Sequence, residues 1–111
     1  MPPAPKHKRF VDKKITAKAR TRDGACLYGL WHKDGCSGGL DGHHIIPVGV
    51  GGPDLLENVI TLCRRHHTLA EARKIDPREF RRLLSHYHRY TYDDLGHPIL
   101  SDVGNLLEAP C

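Results

Sequence analysis

Four histidines, one cysteine and one asparagine fall within the window from His43 to His67, HHIIPVGVGGPDLLENVITLCRRHH, with two apolar runs between them. Imidazole nitrogens and thiolates are the common ligands of transition-metal ions, so this density points to metal chemistry. Cys63-x-x-His66 has the short spacing of a zinc knuckle, in which one tight turn brings two ligands to one ion. Cys26 and Cys36 lie upstream and can supply the other pair of a tetrahedral Cys3His site, with His32 a competing ligand. Such a site would contribute folding free energy directly. The plain alternative is a set of buried free thiols. Cys111, at the end of an acidic tail, is read as a bystander.

The remaining histidines could do different work. On an extended segment neighbouring side chains point to opposite sides, so His43 and His44 face apart. One can bind a metal while the other faces elsewhere, as a base toward a water. His67 directly follows His66 at the start of an expected helix and can turn toward a hairpin that carries His43 and His44. Three imidazoles would then surround one point. His86, His88 and His97 are assigned no role.

Several elements must position these residues. Val11, Ile15 and Ala19 recur at i, i+4, i+8 among lysines and arginines, a weak helical stripe over Phe10 to Arg22 that Asp23-Gly24 should stop. Cys26 to Gly39 is rich in glycine and turn residues and predicts a looped ribbon carrying two cysteines. Leu40 to Val50, with its apolar run Ile45-Ile46 broken by Pro47, predicts a short strand that ends early, and Val59 to Leu62 its return strand. Cys63 to Arg73 suits a helix. Asp76 predicts a helix start, with Pro77 at the first helical position and Glu79 completing a capping-box pair. Phe80, Leu83, Leu84 and Tyr87 then form one apolar stripe.

Composition bounds the rest. At 111 residues the chain is one domain, small enough that a structural metal is a natural staple. No apolar span long enough for a membrane helix and no signal-peptide pattern is present, which predicts a cytoplasmic protein and makes metal ligation a stronger reading of the cysteines than disulfides. The net charge is +4, but residues 1–22 carry eight Lys/Arg against Asp12 alone, whereas residues 93–111 carry four acids and no Lys or Arg. A basic arm on a small domain is the footprint of a polyanion partner, and Lys13, Lys14, Lys18, Arg20 and Arg22 are the candidate phosphate contacts. A merely solvated helix face is the competing reading.

Taken in order, GHHIIPVGVGG and LENVITLCRRHH resemble the HNH endonuclease family, the ββα-metal nucleases. That family carries His-His or Asp-His at the end of one strand, Asn in the loop, and His on the following helix. Here His43-His44, Asn58 and His67 stand at those positions. Pro47 and Gly51-Gly52 match the family's loop, and Leu62-Cys63-x-x-His66-His67 its knuckle. The resemblance implies an α+β fold: a small ββα-metal core, a β-hairpin plus helix, with flanking helices, stapled by a structural zinc on Cys26, Cys36, Cys63 and His66. It implies that His44 is the general base, that His43 and His67 hold a catalytic divalent ion (Mg2+, Mn2+, Ni2+ or Zn2+), and that Asn58 braces the loop and so orients His44. Glu71 stands four residues after His67, where some relatives place a further histidine, and is either an extra ligand or a surface acid.

The organisation expected is a disordered basic arm over residues 1–10, a nuclease domain over 11–92 and an acidic tail over 93–111. The activity implied is metal-dependent hydrolysis of DNA phosphodiesters, by nicking or double-strand cleavage, with low sequence specificity. Standalone family members of this size are similar to those encoded by phages beside their packaging genes, which implies DNA processing alongside a terminase and portal in the host cytoplasm. Two other readings compete. A zinc-stapled nucleic-acid-binding module without cleavage would need the cysteines, His66 and the basic arm but not His43, His44 or Asn58. An RNA-directed or colicin-like nuclease is the other, although no toxin-type translocation segment is seen.

Overall fold

The computed structural model describes residues 9–100; the expectations for residues 1–8 and 101–111, Cys111 included, lie outside them. Helix α1 spans Ile15–Asp23, α2 Leu27–His32, strand β1 Leu40–His44, strand β2 Val59–Cys63, α3 Arg64–Glu71 and α4 Pro77–His88, with single 3-10 turns at Val48–Val50 and Leu56–Asn58. β1 and β2 form a two-stranded antiparallel sheet in which His43 lies opposite Ile60 and His44 opposite Val59. The fold is therefore the α+β arrangement expected, a hairpin followed directly by a helix.

A two-stranded hairpin is marginal on its own in water, so helices must cover it. Every residue of β2 is buried, which requires cover on both faces. On one face, Ile15 and Ala19 of α1 pack against Val59, with Leu56 at the margin. On the other, Ile60 and Leu62 join Leu27, Ile45, Ile75, Phe80, Leu83 and Leu84 in the main core. Strand alternation carries this division across to β1. His43 shares the Ile60 face, its ring 5.4 Å from the Phe80 ring, and His44 shares the Val59 face.

Three local expectations are corrected. Cys26 to Gly39 is not wholly a looped ribbon, because Leu27–His32 forms a short helix whose N-cap is Cys26 itself, its Sγ accepting from the Gly29 amide at 3.3 Å. The return that brings Cys36 back passes directly over Gly29, where a Cβ would sit 2.4 Å from the Cys36 Sγ. Any side chain there would push the second cysteine away. β1 covers the histidines and stops before Ile45-Ile46, because the Ile46 amide bonds to the Asn58 side chain, not to a partner strand. Finally, Glu79 does not close a capping box: its carboxylate takes His32 and Arg82, leaving Asp76 to cap α4 through the Arg78 amide.

The stripe that predicts α1 is shorter than expected at its start. Val11 is exposed and the helix begins at Ile15, because the Asp12 amide and the Phe10 carbonyl are tied to Asp54 instead. α1 ends where expected, with Gly24 in the left-handed conformation at its C-cap.

Candidate active site

The sulfurs of Cys26, Cys36 and Cys63 converge on one imidazole nitrogen, His66 Nδ1, at 3.3, 3.7 and 3.1 Å. Cys63 is the last residue of β2 and the N-cap of α3, so the first helical turn swings His66 back over it. Cys26 enters from the start of α2 and Cys36 from the return that Gly29 permits. Cys26, Cys63 and His66 are buried, and the four ligand atoms lie within 4.8 Å of one another. Three thiols this close cannot all ionise without a cation. Burial and its two neighbouring sulfurs push the Cys36 thiol up. Burial acts the same way on Cys63, but the amides of His66 and Ser37 outweigh it and draw that thiol below its ordinary range. At the far side of the ring, His66 Nε2 meets the Asp34 carboxylate at 2.9 Å. Arg65 Nη1, paired with the same carboxylate, also stands 2.9 Å from Nε2, so that side of the ring is occupied and Nδ1 is left toward the sulfurs as a ligand. The set fits a structural zinc. His32, the competing ligand, is instead bonded to Glu79 at 2.5 Å.

A second group gathers on the Ile60 face. His43, His67 and Glu71 each offer one ligand atom, again within 4.8 Å of one another. The His43 and His67 rings are 5.3 Å apart. Glu71 Oε1 lies 3.1 Å from His67 Nε2 and 3.6 Å from His43 Nδ1. His43 Nδ1 is buried without a hydrogen-bond partner, an uncommon and costly state for a ring nitrogen. Burial, reinforced by the facing His67, brings the His43 pKa down to about 4, so the ring is neutral and available as a ligand at ordinary pH. His67 Nδ1 is bonded at 3.0 Å to Asp41, whose carboxyl Arg64 and His67 together hold down at about 2. That contact leaves His67 Nε2 facing His43 and Glu71. An orphaned nitrogen, a second nitrogen oriented from behind and an exposed carboxylate beside both fit a divalent ion.

His44, on the opposite face of β1, has its Nε2 2.8 Å from Asp54 Oδ1. Asn58, 1 % exposed, spans the intervening loop: its Oδ1 accepts from the Ile46 amide at 2.9 Å, and its Nδ2 donates to the Ile46 and Pro53 carbonyls at 3.1 Å each. The loop closes this tightly only because Gly52 lies against the Ile46 carbonyl, where a Cβ would be 1.7 Å from the oxygen.

The candidate phosphate contacts divide. Lys13, Lys14 and Arg20 are exposed, and Lys18, also exposed, pairs with Asp12 at 2.7 Å. Arg22 is turned inward, donating to the Leu56 and Val59 carbonyls at 2.5 and 2.6 Å and pairing with Asp23, so the fold uses this guanidinium itself. Arg20 lines a shallow depression with Thr16, Asp41, Gly42, Arg64 and His67, beside the second metal group. Sequence reasoning misses Asp34, Asp41 and Asp54. Only Asp41 has a usable signal there, standing two residues before His43 and so on the same strand face.

The family model described as HNH endonuclease matches residues 30–73, from the end of α2 through both strands and α3. No curated protein and no solved structure matches the chain. Among the described residues, no helix is long and apolar enough to cross a membrane. The matched span contains the second metal group, His44, Asp54 and Asn58 and three of the four zinc-type ligands, so the likeness to the HNH endonuclease family lies in residues 30–73 and takes in most of both ligand groups.

Proposed function

We propose that the protein is a metal-dependent endonuclease that hydrolyses DNA phosphodiester bonds with little sequence selectivity. The observation that carries the reading is the orphaned His43 Nδ1 facing His67 Nε2 and Glu71, one residue from an imidazole held on the other side of the strand. A buried ring nitrogen without a hydrogen-bond partner is uncommon in a purely structural setting and is what a metal ligand presents to its ion. His43, His67 and Glu71 would hold a divalent ion such as Mg2+, Mn2+, Ni2+ or Zn2+. When bound, the ion supplies Lewis acidity to a phosphate oxygen and to the departing oxygen.

The chain's own residues do the rest. His44 takes the proton of the attacking water, Asn58 braces the loop that follows His44 and so orients it, and Arg20 and Arg64 offer positive charge to the backbone beside His67. Cys26, Cys36, Cys63 and His66, with their zinc, fix the start of α3 and so the position of His67. One such site cuts one strand, so a double-strand break would need two nicks or two copies. The biological setting we infer from the family resemblance is DNA processing beside a phage terminase and portal.

The test is incubation of supercoiled plasmid with the zinc-loaded protein and Mg2+, Mn2+ or Ni2+, alongside His43→Ala and His44→Ala. Conversion to nicked circles by the wild type and its loss in both variants is expected. Cleavage that survives His44→Ala overturns the assignment of the base. Binding without cleavage under every metal would leave a zinc-stapled binding module.

A further inference from the structure

Asp54 is a carboxylate nearly out of solvent, and it is held from three directions. Its Oδ1 meets His44 Nε2 at 2.8 Å, its Oδ2 accepts from the Asp12 amide at 2.9 Å, and the Arg9 guanidinium pairs with it while also donating to the Gly52 carbonyl at 3.2 Å. The Asp54 amide donates to the Phe10 carbonyl at 2.8 Å. Burial raises its pKa, but the Asp12 amide, His44 and Arg9 outweigh that and hold it below the ordinary carboxylate range. Arg9, Phe10 and Asp12 precede α1 and lie outside the span 30–73 that matches the family model. His44 and Asp54 both lie within that span, but the support behind Asp54 comes from a part of the chain that the family match does not include.

We propose that Asp54 is the positioning residue of His44, held in place by the Arg9–Asp12 segment. The inference rests on the nuclease reading for its consequence, but its geometry stands apart from it. An ionised carboxylate can only accept, so the His44 Nε2 must carry the hydrogen. In the neutral ring the lone pair is then on Nδ1, the single nitrogen able to take a proton. During hydrolysis the water oxygen bonds to phosphorus, the ester oxygen departs, and the water proton rests on Nδ1. The Nε2–H stays on the ring and Asp54 stays ionised. Without Asp54 the ring would lose both its orientation and its tautomer.

An amide is no substitute. In Asp54→Asn, Oδ1 can still face His44, but the Nδ2 donor would then face the Asp12 amide, also a donor. Both Asp54→Ala and Asp54→Asn should therefore lose the fixed tautomer.

The test combines two readouts on zinc-loaded protein. Long-range proton–nitrogen NMR of the labelled histidine rings, at mildly alkaline pH where imidazole is neutral, should show His44 as the Nε2–H tautomer in the wild type. The two tautomers should mix in Asp54→Ala. Plasmid nicking by Asp54→Ala should fall in kcat by about 10²-fold, with KM and zinc content unchanged. A role confined to folding would instead lower zinc content and leave the tautomer of the folded fraction intact. An Nδ1–H tautomer in the wild type overturns the proposal, and this outcome needs no variant to fold. So does an Asp54→Ala protein with wild-type kcat and tautomer. A wild type that cleaves nothing yet shows an Asp54-dependent Nε2–H tautomer would overturn the nuclease reading and support the contact.

Discussion

His66 and His67 are adjacent in the chain and present opposite ring nitrogens to two different ligand groups. His66 directs Nδ1 at three cysteine sulfurs with Asp34 behind its Nε2, whereas His67 directs Nε2 at His43 and Glu71 with Asp41 behind its Nδ1. Successive residues on a helix point about 100° apart, which separates the two sites without any loop between them. Each imidazole has its own carboxylate behind it, so the two rings are oriented independently.

The first consequence concerns folding. Structural zinc contributes on the order of 10 kcal/mol to small zinc domains, comparable to the whole net stability of a domain. Cys63→Ser removes one zinc ligand while its hydroxyl can still cap α3, so the loss of zinc alone should leave the protein largely unfolded. Elemental analysis should find about one tightly held zinc in the wild type, and chelation should abolish the far-ultraviolet helical signal with the metal. A folded, zinc-free wild type would contradict this.

The carboxylate behind His67 permits a separable test. Asp41→Ala takes away the acceptor that fixes His67 but touches no cysteine. Removing such a partner typically weakens metal affinity about 10- to 100-fold. Titration of the divalent ion should show the weakening, excess ion should restore most of the nicking rate, and the zinc content should not change. Asp34→Ala should do the reverse, loosening zinc while leaving the second ion's affinity intact in whatever fraction stays folded.

Parts of this site are legible in the chain because local spacing fixes them. Cys63-x-x-His66 needs only a helical turn, and His43 and His44 need only strand alternation to face apart. α4 is legible for the same reason, its cap and apolar stripe being contiguous. What is not legible depends on residues distant in sequence. Asp54 reaches His44 only because Gly52 lets the loop fold against Ile46, and Arg9 meets Asp54 across more than forty residues. Arg22 resembles its basic neighbours, and nothing in its spacing reveals that two carbonyls of the β2 approach need it. Leu27–His32 is hidden by its glycine, which serves the approach of Cys36 and sits within a short helix.

The Asp23 network gives an acid-sensitivity prediction. Its side chain is fully buried and accepts from Arg22, from His88 at 2.7 Å and from the Thr61 amide at 3.1 Å. Burial raises its pKa, but Arg22 leads the contacts that outweigh this and lower it. A carboxylate lowered on folding adds stability above its unfolded pKa and loses it as pH falls through the folded value. Asp23→Asn should therefore cost about 3 kcal/mol near neutral pH, as expected for breaking a buried pair, with the gap to wild type narrowing in acid. Denaturant unfolding of both proteins across pH measures that gap. The difference matters more than either curve, because the zinc ligands also take up protons in acid.

Arg20 and Arg22, two residues apart on α1, should respond in opposite ways to the same substitution. Arg20 is exposed beside His67, so Arg20→Ala should leave stability within error and remove one cation from the face proposed to meet phosphate. Its signature is ionic: the slope of log affinity for DNA against log salt should become shallower by about 0.9 for each phosphate that is no longer neutralised. Arg22→Ala should leave that slope alone, because its guanidinium is occupied by the Leu56 and Val59 carbonyls and Asp23. Its cost appears in unfolding, at about 3 kcal/mol or more, since Asp23 is left buried with a weaker set of donors. Salt titrations of DNA binding and denaturant curves on the two variants separate these outcomes. A salt slope that drops with Arg22→Ala would mean that the guanidinium leaves its carbonyls to meet phosphate, and the division between anchoring and binding cations on this helix would have to be redrawn.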